Sequence, residues 1–330
     1  MTPIKTGIIG FGRVAANHLN AMRECGHYDV QMVCDITESR REAAKAEGMQ
    51  ATDQLDVLLG SDVELVLVTT HSSAHYADTL KATAAGKHVL VEKPMALRGP
   101  QAEEMVASAR ENNVSLCVNH NRHYDMDYRR VKSAVQEGLI GDIVSIENRT
   151  LGARPAVGYG VQDYNQAWRI TAADGGGTLL DFGPHWVEQV IDLMSGQKIV
   201  EVFADVRHVK WGDADDLFDI TMVFDNGVRA RAAKADLSFY TLPYKWVVLG
   251  IEATLVGERG GDGDVVIYGE EYEIRRTKAV ERHNLHVNIA EHIRNGVDLI
   301  IPPQHALRVM QVLEAARQSG ESGRSLAVEI

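Results

Sequence analysis

The sequence predicts an α/β fold: a doubly wound parallel sheet first, then an α+β domain with a large, mostly antiparallel open sheet. Two observations carry the first part. Short runs that are apolar throughout alternate with helical stretches, and a glycine-rich turn follows the first such run. A third carries the second part. Beyond Tyr124 the runs switch to alternating polar and apolar residues, separated by turn signals such as Asp225-Asn226-Gly227. The expected division is residues 1–123 and 124–330.

In order, the first part reads as a strand at Lys5 to Ile9, the turn GFGRVA, a helix, and a second strand at Val30 to Cys34 that ends in Asp35. An Ala- and Glu-rich helix spans Glu38 to Glu47, and a buried run follows at Glu64 to Thr70. A helix from Ala74 to Ala85 closes on Gly86, a C-cap residue. His88 to Val91 is the next strand, Gln101 to Asn112 the next helix, and Ser115 to Val118 the last strand. Helices between parallel strands cover the sheet on both faces through right-handed crossovers.

Within this frame Gly10-Phe11-Gly12-Arg13-Val14-Ala15 reads as GxGxxA. Gly10 permits the tight turn, Gly12 lets a pyrophosphate approach the backbone, and Ala15 allows close helix packing. The helix start offers free N–H groups and a positive dipole end to phosphates. Strand before, helix after and an acid roughly 20 residues on are the setting a dinucleotide-binding Rossmann turn requires. Asp35 can accept hydrogen bonds from the adenosine ribose and would repel a 2′-phosphate, which favours NAD. Arg40 and Arg41 stand close behind and leave NADP possible.

A formal net charge of -12, with no basic stripe, argues against nucleic acid or an anionic membrane as partner. Cys25, Cys34 and Cys117 show no paired spacing, so a reducing compartment is expected. The N-terminus enters a strand at once with no signal-type apolar region, and no segment approaches bilayer-spanning length. The expectation is a cytoplasmic protein.

The run VLVEKPMAL, Val89 to Leu97, delivers Lys93 to a strand's carboxyl end, where doubly wound sheets bind ligands. Pro94 holds the preceding residue extended, and a cis Lys93–Pro94 peptide is expected. Glu92 is expected to pair with Lys93 or a neighbour. Further on, Gly175-Gly176-Gly177-Thr178-Leu179-Leu180-Asp181-Phe182-Gly183-Pro184-His185 places His185 in the first turn of a helix running from Pro184 to Met194. The dipole there disfavours an imidazolium, while Asp181 can raise the ring's basicity or fix its tautomer. A near-neutral histidine with an orienting carboxylate is what a general base requires.

These stretches, GIIGFGRVAANH, AGKHVLVEKPMAL, QEGLIGDI and WRI…GGGTLLDFGPH, resemble the Gfo/Idh/MocA family in the family's order and over most of the chain. The resemblance implies that Lys93 lies beside the nicotinamide and the substrate hydroxyl. It also implies that Asp181 and His185 match the DxxxH pair working with that lysine. His185 would take the hydroxyl proton as hydride leaves the same carbon, and Lys93 would stabilise the developing oxyanion or relay the proton. The substrate expected is a sugar, polyol or inositol. The family also implies a homodimer or homotetramer built on the open sheet. Where members carry TPN or TPT this chain has Thr70-His71-Ser72. The family's aspartate three residues past the histidine is Glu188, and the RRF-like stretch reads Asn121-Arg122-His123-Tyr124 with Met126 for the usual proline.

The expected cofactor contacts are thus Gly10, Phe11, Gly12, Arg13, Val14, Asp35, Arg40, Thr70, His71, Ser72, His75, Glu92 and Lys93. Expected on the substrate are Lys93, Arg122, His123, Tyr159, Trp168, Arg169, Asp181 and His185. Tyr159, Tyr164 and Trp168 can stack on a sugar ring, with Arg154 and Arg169 as polar partners. His71 with His75 and His120 with His123 have zinc-like spacing, yet no cysteine or carboxylate cluster completes a ligand set, so no metal is expected. Two rival functions fit the same fold: a glycoside hydrolase using transient oxidation by NAD, and a non-catalytic NAD-binding regulator. The proton-transfer set Lys93, Asp181 and His185 counts against the regulator.

Overall fold

The computed structural model describes residues 2–155, 167–258, 263–276 and 284–330. The first sheet is built from β1 (Ile4–Ile9), β2 (Tyr28–Cys34), β3 (Gln50–Thr52), β4 (Leu65–Val68), β5 (His88–Val91) and β6 (Leu116–Val118). Their order is β3-β2-β1-β4-β5-β6, with every pairing parallel. β4 reads LVLV and is buried at all four positions, as expected of a strand sandwiched between helices. Those helices are α1 (Arg13–Cys25), α2 (Glu38–Ala46), α3 (Leu55–Leu59), α4 (His75–Ala84) and α5 (Gly99–Glu111). The strand order reverses between β1 and β4, and in such sheets the crevice at the strands' carboxyl ends at this point takes the ligand.

After α6 (Met126–Gln136) the chain enters β7 (Ile143–Leu151), then the short α7 (Thr178–Asp181) and α8 (Gly183–Leu193). Then come β8 (Ile199–Arg207), β9 (Leu217–Phe224), β10 (Arg229–Ala235), β11 (Tyr244–Gly250), β12 (Thr254–Glu258), β13 (Val265–Tyr268) and β14 (Glu273–Arg276). Helices α9 (Leu285–Asn295) and α10 (Pro303–Ser322) precede β15 (Leu326–Ala327). The second sheet runs β14-β13-β12-β11-β7-β10-β9-β8-β15. Among the described residues only β7 and β10 pair in parallel. In β9 buried and half-buried residues alternate along the strand. One face of this sheet is thus packed and the other is open.

α10 packs on β8, α8 and α5, so one apolar core runs from the second sheet to one face of the first. α9 departs from chain order. Its Ile289 and Ala290 join the core on the other face of the first sheet, with Ile4, Ile8 and Leu19. No helix among the described residues is long and apolar enough to cross a membrane.

Candidate active site

The turn after β1 is shaped for close approach of a ligand to backbone. Gly10 has φ +83°, and a Cβ there would lie 3.0 Å from Thr69 O and Thr70 N of the neighbouring strand end. At Gly12 an added Cβ would meet nothing within 4 Å, and no side chain caps the start of α1. Its first N–H groups are therefore available to an anion. Asp35 Oδ2 accepts from Phe11 N at 2.7 Å and Oδ1 accepts from Thr37 N at 2.8 Å, which ties the end of β2 to the glycine turn. Arg40 Nη1 donates to Phe11 O at 3.4 Å, and Arg41 Nη1 donates to Asp35 O at 2.9 Å. Phe11 itself is buried beneath the turn, Val14 is half-buried and Arg13 exposed.

Across the switch point, Thr70 Oγ1 donates to Asp78 Oδ2 at 2.8 Å, Ser72 is buried, and the half-buried His71 ring lies 6.0 Å from the Trp168 ring. Burial pushes the His71 pKa down. His75 is not open to a cofactor. Its ring is buried, with Nδ1 2.8 Å from Pro94 O and Nε2 3.1 Å from Thr70 O, so it braces the end of β4 against the Lys93 turn. Glu92 is likewise engaged from behind. His18 Nε2 lies 2.9 Å from its Oε1, Asn119 Nδ2 donates to that oxygen, and Lys93 N donates to Oε2 at 3.1 Å. Burial opposes ionisation of Glu92, but the His18 and Asn119 contacts and Lys93 outweigh it and bring its pKa down to about 2.

The Lys93–Pro94 peptide is cis. Lys93 Nζ donates to Asp181 Oδ1 and to Asp181 backbone O, both at 2.8 Å. Arg169 Nη1 donates to the same carboxylate oxygen, and its guanidinium stacks 4.5 Å above the Trp168 ring. Burial would raise the Asp181 pKa, but Lys93 and Arg169 hold it well below the usual carboxylate range. Asp181 ends α7, and Asp215 positions that helix, accepting from Thr178 Oγ1 at 2.8 Å and Leu179 N at 2.7 Å. Gly177, at φ +104°, leaves the space that Asp215 fills.

His185 stands in the first turn of α8, just after Pro184, and is 5% exposed. Its Nδ1 is buried with no hydrogen-bond partner among the described residues. Burial, then the charges of Lys93 and Arg122, push its pKa well below the ordinary value, so the ring is neutral. Here expectation and structure part. Asp181 spends its described hydrogen bonds on Lys93 and Arg169, and none of them orients His185. The two cations nearby win the carboxylate because a buried ion pair left unmade costs several kcal/mol.

On the expected substrate side, Arg122 Nη1 donates to Asp125 Oδ2 at 2.8 Å, and Arg169 binds Asp181 while stacking on Trp168. His123 is buried and turned inward, with Nδ1 2.8 Å from Glu188 Oε1. Arg154 is exposed. Tyr159 and Tyr164 lie outside the described residues. Sequence reasoning missed His305, whose Nε2 is 3.1 Å from the same Glu188 oxygen, and passed over His120 once a metal was set aside. The DxxxHxxE spacing from Asp181 to Glu188 was the one available signal. His305 joins only through the tertiary fold.

Dinucleotide-binding chemistry therefore fits the uncapped α1 start, the open space at Gly12 and the acid at Asp35. Residues 4–120 match the family described as "Oxidoreductase family, NAD-binding Rossmann fold", and residues 128–261 match the "GFO/IDH/MocA C-terminal domain". The chain belongs to the Gfo/Idh/MocA family. It is 27% identical to a scyllo-inositol 2-dehydrogenase (NADP(+)) of Bacillus subtilis, over 99% of this chain and 96% of that one. With a 1,5-anhydro-D-fructose reductase of Ensifer adhaerens it shares 34% identity over 54% of this chain and 53% of the relative. Among solved structures, an NAD-binding protein from Listeria innocua superposes with a TM-score of 0.88 at 25% identity, covering 99% and 97% of the two chains. This Gfo/Idh/MocA protein is accordingly an NAD(P)-dependent oxidoreductase with an N-terminal Rossmann domain.

Proposed function

We propose that this oxidoreductase interconverts a secondary hydroxyl and the matching ketone on a sugar, polyol or inositol. The single observation that carries the reading is the buried Lys93–Asp181 contact at the carboxyl end of β5, with neutral His185 on the next helix. The bound nicotinamide supplies hydride transfer to or from the substrate carbon. His185 is the base that takes the hydroxyl proton, its low pKa keeping a lone pair ready at neutral pH. Lys93, held by Asp181, presents an ammonium to the oxygen on which negative charge grows. Asp181, itself fixed by Arg169, keeps that ammonium from swinging away. The relatives named for inositol and anhydrofructose chemistry support a polyhydroxylated substrate.

Self-association belongs to the same reading. Phe203 on β8, Leu249 on β11 and Tyr268 on β13 are 43%, 41% and 44% exposed. By register they lie on the second sheet's open face, opposite buried Val202, Val248 and Ile267. A homodimer or homotetramer would cover these apolar side chains, which share the face with Thr221, Arg231 and Glu147 on the strands between them.

The test is turnover with NAD and, separately, NADP across sugars, polyols and inositols, followed by nicotinamide absorbance. Reduction of cofactor with one substrate, lost in Lys93→Met, establishes the reading. Bound cofactor with no turnover on any of them sinks it and moves the weight to glycoside cleavage.

A further inference from the structure

Along α8, His185, Glu188 and Asp192 fall at i, i+3 and i+7, on one face of the helix. Glu188 is 0% exposed. Its Oε1 is shared by His123 Nδ1 at 2.8 Å and His305 Nε2 at 3.1 Å. Its Oε2 is buried with no partner among the described residues, and the same holds for both ring nitrogens of His120, the Tyr124 hydroxyl and His185 Nδ1. So many unpaired buried polar atoms in one neighbourhood are unusual, and buried water is their ordinary partner. His120 lies within Coulombic reach of Lys93 on one side and of Glu188, His123 and His305 on the other, and His185 is within reach of His120. Of the three histidines around Glu188, His305, in the first turn of α10, is the one that reaches outward, with its side chain 17% exposed.

The chemistry supplies a reason for such a chain of groups. In oxidation the C–H hydrogen leaves with its electron pair to the cofactor, and the O–H hydrogen leaves as a proton. A base with a low pKa does not keep that proton. We infer that the proton leaves by the back, from His185 through water held against His120 to Glu188 and out to solvent at His305. Each transfer breaks one N–H or O–H bond and makes another. Glu188 takes the proton on Oε2, its carboxyl group turns to hand that proton to His305 Nε2, His305 loses its Nδ1 proton to solvent, and the ring regains its first tautomer by exchange with water. His120, Glu188 and His305 act through His185 and are positioning and relay residues. The inference rests on the hydroxyl–ketone reading above.

Two measurements test it. A high-resolution crystal structure of the holoenzyme is expected to show ordered water bridging His120 and Glu188 Oε2, and a dry, apolar gap there overturns the relay. In weakly buffered solution Glu188→Gln and His305→Phe are expected to lower kcat about tenfold or more with KM little changed. Added imidazole at the same pH should restore the rate. Unchanged kcat, or a loss that imidazole does not rescue, overturns it too. A wild-type protein inert on every polyol while the bridging water is present would sink the hydroxyl–ketone reading and leave the relay's geometry standing.

Discussion

Lys93 and Asp181, 88 residues apart in sequence, meet through two 2.8 Å contacts from one ammonium, to the carboxylate and to the backbone oxygen of the same residue. One sheet supplies the cation and the segment leading into α8 supplies the anion, so the contact fixes the two parts of the active site against each other. It also leaves Asp181 carrying two cations, Lys93 and Arg169, with the neutral His185 four residues on.

Replacing Lys93 by Met should therefore remove more than a charge at the substrate oxygen. We expect kcat/KM to fall by about 10² to 10⁴ with cofactor affinity nearly unchanged. Asp181→Asn should cost less binding than catalysis, because Arg169 and Lys93 then lose their common anion. Cofactor titration by fluorescence beside steady-state kinetics separates the two effects. Equal loss of cofactor binding in both variants would contradict the assignment.

Stability should fall as the solution is made acid. His120 is held down at about 4 and His286 at about 3, both chiefly by burial. The unfolded chain takes up these protons near pH ~6.5, so their contribution to stability is present above that pH and fades as pH falls through the folded values. Glu92 and Glu188, each near 2, contribute above about pH 4.3 and lose that contribution below it, so the two sets act in the same direction. Melting temperature should drop steadily from pH 7 to pH 4, and a flat profile would refute this. Activity should keep its acid limb below the ordinary histidine value, since His185 stays neutral there.

How much of this was legible in the sequence divides along physical lines. The Rossmann turn, Lys93 and the His185 helix were readable because each depends on residues close in the chain. Glycine, proline and strand-end chemistry are local. The cis peptide before Pro94 was readable for the same reason. Partners were not. Nothing near Asp181 announces that Arg169 will compete for it, and nothing near Glu188 points to His305, which is 117 residues away. Glu92 and His75 stand in the right motif, yet their side chains brace the turn from behind, because buried polar atoms must find partners wherever the fold supplies them.

We propose that Asp35, which holds the glycine turn through Phe11 N and Thr37 N, also sets the cofactor choice. Asp35→Ser should raise KM for NAD and shift the NADP/NAD ratio of kcat/KM toward NADP by roughly tenfold, an effect of about 1.4 kcal/mol. Arg40 and Arg41, whose guanidinium groups donate to Phe11 O and Asp35 O, would then meet a 2′-phosphate. Arg41→Ala added to Asp35→Ser should reverse most of that gain. If the ratio does not move in the single variant, Asp35 does not face the ribose.

The open face of the second sheet offers the last prediction. Phe203 pairs across to Thr221 while its neighbours Val202 and Ala204 are buried beneath, so its ring projects from the side of the sheet that the helices leave bare. Covering it with a second copy would remove apolar surface from water at roughly 25 cal/mol per Å². A charge placed there would have to be desolvated without a partner. Phe203→Glu with Tyr268→Glu should convert an oligomer to a smaller species in light scattering, with the fold kept by circular dichroism. Turnover should survive, because both side chains project from the sheet face opposite the one on which α8, the helix of His185, and α10 pack. A wild-type protein that is already monomeric at micromolar concentration would refute the assignment of this face.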